Sequence, residues 1–158
     1  MTRENIQQFT FRISRANSTE LVVILYEMLI CYLEDAEQAW EGETPDERAE
    51  ALRKARGCIN ELMQSVDSRY EPGSSLLQLY IYSLKQLAHA QREGDKEPVK
   101  QVRQMMQSLH DAYAQIAPLN TKGPVMNNSQ TVYAGLTYGR NDLTENMADQ
   151  GANRGMRV

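Results

Sequence analysis

Between Asn17 and Ile116 the apolar positions recur with a helical period and fall into four segments. In the first, Leu21, Leu25, Leu29, Tyr32, Ala36 and Ala39 share one face, the spacing of an amphipathic helix. Asn17 is placed to cap it, and Glu20 three residues on completes a capping-box pair. The pattern fades near Trp40-Glu41-Gly42. The second segment opens with Thr44-Pro45-Asp46-Glu47: Thr44 as cap, Pro45 where a missing N–H costs nothing, Glu47 reaching back. Ala49, Leu52, Ala55, Ile59, Leu62, Met63 and Val66 form its stripe, and the helix is expected to end near Tyr70, before the turn Glu71-Pro72-Gly73-Ser74. The third carries Leu76, Leu77, Tyr80, Leu84, Leu87 and Ala88 and stops at Gly94. The fourth begins between Asp95 and Pro98, carries Val99, Val102, Met105 or Met106, Leu109, Tyr113 and Ile116, and ends at Pro118.

Four helices of roughly 18 to 26 residues would each span roughly 27 to 39 Å. Short connections between long helices favour antiparallel neighbours. The predicted fold is therefore all-α: an antiparallel four-helix bundle over residues 17–117, preceded by an N-terminal arm (1–16) and followed by a largely irregular tail (118–158). The arm is polar except for Phe9, Phe11 and Ile13. The tail holds five of the nine glycines, six Asn, Pro118 and Pro124. No repeat of about 30 to 50 residues recurs, which argues against a solenoid.

Composition narrows the function. The 158 residues include 17 Lys and Arg against 21 Asp and Glu, a formal charge of -4. A general nucleic-acid binder needs a basic surface instead. No segment supplies the roughly 20 apolar residues of a membrane-spanning helix, and the most apolar window, Leu21–Leu33, is interrupted by Glu27. The expectation is a soluble, cytoplasmic protein without membrane insertion. Cys31 and Cys58 lie inside apolar helical patterns and read as small hydrophobes rather than as a disulfide or a zinc site. A di-iron bundle needs Glu-x-x-His pairs, and Gln86 and Gln107 stand where His89 and His110 would need Glu. No nucleophile elbow, phosphate loop or dinucleotide fingerprint is present. No catalytic, cofactor or metal residue is assigned. The enzyme-like alternative is a histidine phosphotransfer bundle using His89, with Arg92 and Gly94 following it in a loose likeness of that motif.

The informative oddity is the first long helix. Twelve of the thirteen residues from Leu21 to Leu33 are apolar or aromatic, whereas a helix covered from one side needs only a stripe. Val22, Tyr26, Ile30 and Leu33 are surplus to it. On the third helix Leu79, Ile81 and Tyr82 are surplus in the same way. Either the first helix is central, or these residues form a groove for an external apolar helix or strand. The groove reading assigns these seven residues to partner binding and makes Phe9, Phe11 and Ile13 a gating arm that shields the surface when empty. In the tail, Tyr133, Leu136, Tyr138 and Leu143 are spaced anchors in a Gly/Asn-rich background, suited to docking on a partner or on the chain's own groove.

The segment ANSTELVVILYEMLICYLEDA (residues 16–36) resembles the opening of the flagellin export chaperones, the FliS family. Asn17 stands for the capping Ser or Thr, and Leu25-Tyr26-Glu27-Met28 for a Leu-Tyr-Asp-Gly stretch. KARGCINELMQSVD from Lys54, LLQLYIYSLKQLAHA from Leu76 and LHDAYAQ from Leu109 follow in the family's order, with Tyr113 in place of the usual Trp. The resemblance implies a non-enzymatic chaperone. It would bind the C-terminal helical segment of flagellin, prevent premature polymerisation and support delivery to the flagellar type III export gate. The arm would occupy part of the client surface in the free protein. A generic helix-binding adaptor is the other alternative, and homodimerisation is left open.

Overall fold

The computed structural model describes residues 1–126 and contains five α-helices and one 3-10 turn: α1 (Arg3–Arg15), α2 (Ser18–Glu41), α3 (Pro45–Ser65), α4 (Gly73–Glu93), α5 (Glu97–Ile116) and a 3-10 turn at Ala117–Leu119. The last four helices form the antiparallel bundle, with α2 and α4 on one diagonal and α3 and α5 on the other. Antiparallel register between α2 and α5 shows in their cross-links. Glu41 pairs with Lys96 just before α5 (3.3 Å), Glu37 with Arg103 (2.5 Å) and Glu27 with His110 (3.4 Å), so partners on α5 advance as α2 is read backwards.

Each helix end has a local cause. Asn17 Oδ1 accepts the N–H groups of Thr19 (3.1 Å) and Glu20 (2.9 Å), and the Glu20 carboxylate accepts the Asn17 N–H (3.1 Å). The predicted capping box is thus complete. Gly94 ends α4 with φ +70, a left-handed conformation that glycine adopts without a Cβ penalty.

Two expected ends differ. Thr44 makes no side-chain cap for α3; its hydroxyl turns back to the Ala39 carbonyl (3.4 Å), closing α2 instead. The three-residue connection puts that acceptor within reach. α3 stops at Ser65 rather than near Tyr70. Val66 becomes extended, and Asp67 accepts the Arg69 N–H (3.1 Å) and guanidinium (2.9 Å), a local alternative to helical bonding. The loop then passes so close to Gly73 that a Cβ there would lie 2.0 Å from the Asp67 carbonyl oxygen, so only glycine opens α4 without displacing backbone.

The core is built from Leu29 and Leu33 of α2, Leu52, Ile59 and Leu62 of α3, Leu87 of α4, and Val99, Val102 and Met106 of α5. It sits one step round α2 from the predicted stripe. Leu21, Leu25 and Tyr32 are half-buried, whereas Tyr26 and Leu33 are wholly enclosed. A helix that is apolar all round carries no phase in its own sequence, so its neighbours decide which face is inside. Cys58 packs as a small core residue, its thiol pushed up to about 12 by burial.

A pair of tyrosines ties the α2–α4 diagonal. Tyr26 and Tyr80 share a hydroxyl–hydroxyl hydrogen bond, with ring centroids 6.5 Å apart, and Tyr113 of α5 packs on Tyr26 at 5.6 Å. Burial pushes the Tyr80 phenol up to about 12, so the pair stays neutral. Tyr26→Phe alone strands the Tyr80 hydroxyl in the core and is expected to destabilise the bundle by about 1–3 kcal/mol, while the Tyr26→Phe/Tyr80→Phe double variant recovers most of that loss. Urea unfolding of the two variants and the wild type checks this; an unchanged stability in Tyr26→Phe would show that the bond contributes nothing, and equal losses in the two variants that the lone Tyr80 hydroxyl carries no penalty.

Candidate functional site

Helix α1 is the element with no place in the bundle. It folds back along α2, and none of its residues is buried. Thr2 caps it by accepting the Asn5 N–H (3.2 Å). Its C-terminal end is followed by Ala16, which is buried, and by Asn17, the cap of α2. The arm expected over residues 1–16 is for the most part a helix, with Phe9 and Ile13 half-buried and Phe11 59% exposed.

Two carboxylates of α2 hold this segment down: Asp35 pairs with the Met1 amino group just ahead of α1, and Glu27 pairs with Arg12 within it. Arg12 of α1 engages Glu27 of α2 through two N–H groups, one at 3.1 Å, and His110 of α5 approaches the same carboxylate at 3.4 Å. Burial works against the Glu27 carboxylate, but the hydrogen bonds and charges of Arg12 and His110 outweigh it and hold Glu27 below its ordinary range. Glu27 interrupts an otherwise apolar run because it is the contact point of three helices.

Beneath α1 lie Val23 and Ile24 of α2, both buried but outside the bundle's core cluster. They floor a cleft of about 540 Å³ between α1, α2 and the end of α5, with Phe11, Arg15 and Pro118 on its walls. A larger cleft, about 590 Å³, lies at the other end of α2 beside Asp35, Asp46, Glu47 and Glu50. Its lining mixes those carboxylates and Lys54 with Met1, Tyr32, Ala39 and Ala51.

The chain past α5 closes the same corner. Asn17 Nδ2 donates to the Asn120 carbonyl (3.1 Å), Asn120 Nδ2 donates to Thr19 Oγ1 (2.9 Å), and the Val125 N–H donates to the Ala16 carbonyl (2.9 Å). Residues 120–125 therefore cross over the joint between α1 and α2.

A model of the flagellar protein FliS family matches residues 2–120, from the start of α1 to the Asn120 bridge. The chain belongs to the FliS family. A relative named flagellar secretion chaperone FliS, from Bacillus subtilis (strain 168), is 26% identical over 103 residues, which is 65% of this chain and 77% of the relative. The FliS match spans the residues of α1 as well as those of the bundle.

The predicted contact residues divide. Tyr26 and Leu33 are 0% exposed and Ile30 is 8% exposed, all three in the core; they do not form an outer face, because α2 is covered by α3, α5 and α1. Val22 and Leu79 are half-buried, and Val22 lines a crevice of about 340 Å³ at the bundle end with Tyr80 and Tyr113. Ile81 (39%) and Tyr82 (50%) are exposed on α4. Val23 and Ile24 were missed, since nothing in an all-apolar run marks them except their sharing a face with Glu27. Tyr133, Leu136, Tyr138 and Leu143 lie outside the described residues. His89 is exposed in the last turns of α4, with Arg92 at 3.1 Å from its Nδ1.

Two outcomes follow from this geometry. Glu27→Gln removes the carboxylate charge from both Arg12 and His110; only the Arg12 pair fastens α1, and with both its partners partly exposed the loss to α1 is about 0.5–1 kcal/mol, a two- to fivefold rise in its opening. Because the Glu27 carboxyl is held below its ordinary value, the contribution is present at neutral pH and is lost as pH falls through the depressed value. Amide protection of α1 should therefore differ between variant and wild type at pH 7 and converge in acid, with α3 and α4 unchanged at both. Ile30→Asp places a charge in the core and should unfold the bundle; a native helical signal would show that the residue can turn outward.

Proposed function

We propose that this chain is a chaperone of flagellin in flagellar type III export. It binds the apolar C-terminal helical segment of flagellin, keeps it from polymerising prematurely and supports its delivery to the export apparatus. The observation that carries the reading is a 13-residue helix, itself nowhere buried, laid over two apolar residues of α2 that the bundle core does not use. Such a helix is displaced at the expense of a few contacts and the ion pairs at Glu27 and Asp35. What it uncovers is a strip along α2 suited to an amphipathic helix laid in a groove.

The client surface in this reading runs from Val23 and Ile24 under α1, with Phe11 as part of the movable cover, to the exposed Ile81 and Tyr82 of α4, which α1 does not cover. A disordered flagellin end can wrap around both sides. Ordering it gives up about 2–5 kcal/mol of interaction energy, which keeps binding reversible enough for hand-over. The work is protection of a polymerisation surface, and no bond is made or broken. FliS membership favours this reading over phosphotransfer through His89.

Removing residues 1–15 should raise the affinity for a flagellin C-terminal peptide, since the competing helix no longer has to open; with α1 mostly closed, the gain is several-fold or more. Ile24→Ser and the Ile81→Asp/Tyr82→Asp pair should each weaken binding, by about tenfold for the loss of a buried aliphatic contact. Calorimetric titration alongside thermal melting measures both. Undiminished binding in the Ile24 and Ile81/Tyr82 variants would remove this surface from the proposal.

A further inference from the structure

Lifting α1 does more than bare Val23 and Ile24: it takes the guanidinium off Glu27. That carboxylate stands one turn further along the same face of α2 and is only 27% exposed with α1 in place. Burial opposes its charge, and Arg12 and His110 together keep it ionised. Once Arg12 leaves, His110 alone among the described residues remains on it, at 3.4 Å, and the other ring nitrogen of His110 lies 3.0 Å from Asp111. A neutral imidazole has a single N–H and cannot donate to both carboxylates. No substitute stands ready. α2 contains no Lys or Arg, Arg103 of α5 is paired with Glu37, and Arg15, stacked on Phe11, departs with α1. Glu20, on the rim of the cleft, is committed to the Asn17 cap. A client helix laid over Val23 and Ile24 therefore closes over an ionised carboxylate, and covering such a group without a counter-cation is costly.

Resting on the reading of this chain as a flagellin chaperone, we infer that the client segment places a lysine or arginine of its own on Glu27, in the position that α1 gives to Arg12. Helix α1 is the pattern for such a partner. Arg12 adjoins the half-buried Ile13 and lies one turn from the half-buried Phe9, so one turn of helix carries both the apolar contact and the charge. The segment that fits this strip is an amphipathic helix whose apolar face is bordered by one cation. An arginine answers the carboxylate with two N–H groups, as Arg12 does. Glu27 then works as a selector: an apolar helix without the cation strands the carboxylate and is bound less well. It also balances the exchange, because the ion pair broken when α1 leaves is remade with the client.

The test uses the full chain and a peptide spanning the C-terminal helical segment of flagellin, with calorimetric titration as the measurement. Arg12→Gln is the background, because in it Glu27 no longer fastens α1 and a change at Glu27 reports on the client. Adding Glu27→Gln to that background should weaken peptide binding about three- to tenfold. One Lys→Gln or Arg→Gln replacement in the peptide should cost the same factor, and the two changes together no more than either alone. Equal affinity with and without Glu27→Gln overturns the inference and leaves flagellin binding standing. Losses that simply add do the same. So does a peptide in which no Lys→Gln or Arg→Gln replacement weakens binding, a result that no misfolded variant can imitate because the protein is unchanged. Failure of the wild type and the Arg12→Gln protein to bind the peptide at all rejects the chaperone reading itself, and the inference with it.

Discussion

An α-helix with apolar residues on every side has to be covered on every side, and α2 sets that requirement for the whole molecule. From Leu21 to Leu33 its one charged residue is Glu27. Two neighbours in a four-helix bundle cover roughly half of such a helix. α3 and α5 do this for Leu29, Leu33 and Ala36, and the diagonal contact with Tyr80 closes over Tyr26. The remaining strip, around Val23 and Ile24, receives α1 and the chain beyond α5. Everything distinctive about the molecule outside the bundle is a response to that uncovered strip.

The cover is fastened differently from the core. Core contacts are dispersive and spread over many atoms, so they open only with global unfolding. The contacts of α1 are few and partly solvated: the Met1 amino group on Asp35 at one end, Arg12 on Glu27, and a hydrogen-bonded joint at Ala16 and Asn17 at the other. A segment held in this way belongs to the low-stability end of the structure and opens locally without disturbing the rest. That difference separates a durable scaffold from a lightly held cover. It is also the property a transient chaperone requires, since a surface closed by core-like packing would be inaccessible to a client.

Part of the candidate site was legible before the coordinates. Polarity alone separates the arm from the bundle and marks Phe9, Phe11 and Ile13 as its apolar anchors, and the excess of apolar positions on α2 and α4 points to surface beyond what the bundle needs. Ile81 and Tyr82 are exposed. The phase on α2 was misread: Tyr26, Ile30 and Leu33 went inside, and Val23 and Ile24 lie beneath α1. Periodicity separates an inner face from an outer one only where polar residues mark the outer one. Between Leu21 and Leu33 the one charged marker is Glu27, and its meaning depends on Arg12 and His110, which are 15 and 83 residues away.

The sequence by itself determined four bundle helices, the capping box at Asn17, the stop at Gly94 and the all-α class, because those features rest on backbone geometry and contacts within a few residues. Its resemblance to FliS was readable for the same reason, as four short motifs in order. Only the tertiary structure decided that the arm is a helix lying against α2, that one carboxylate is shared by three helices, and that residues 120–125 return to the α1–α2 joint. Those are pairings between residues far apart in the chain. Local sequence fixes the partners each residue could satisfy, and only packing in three dimensions selects among them.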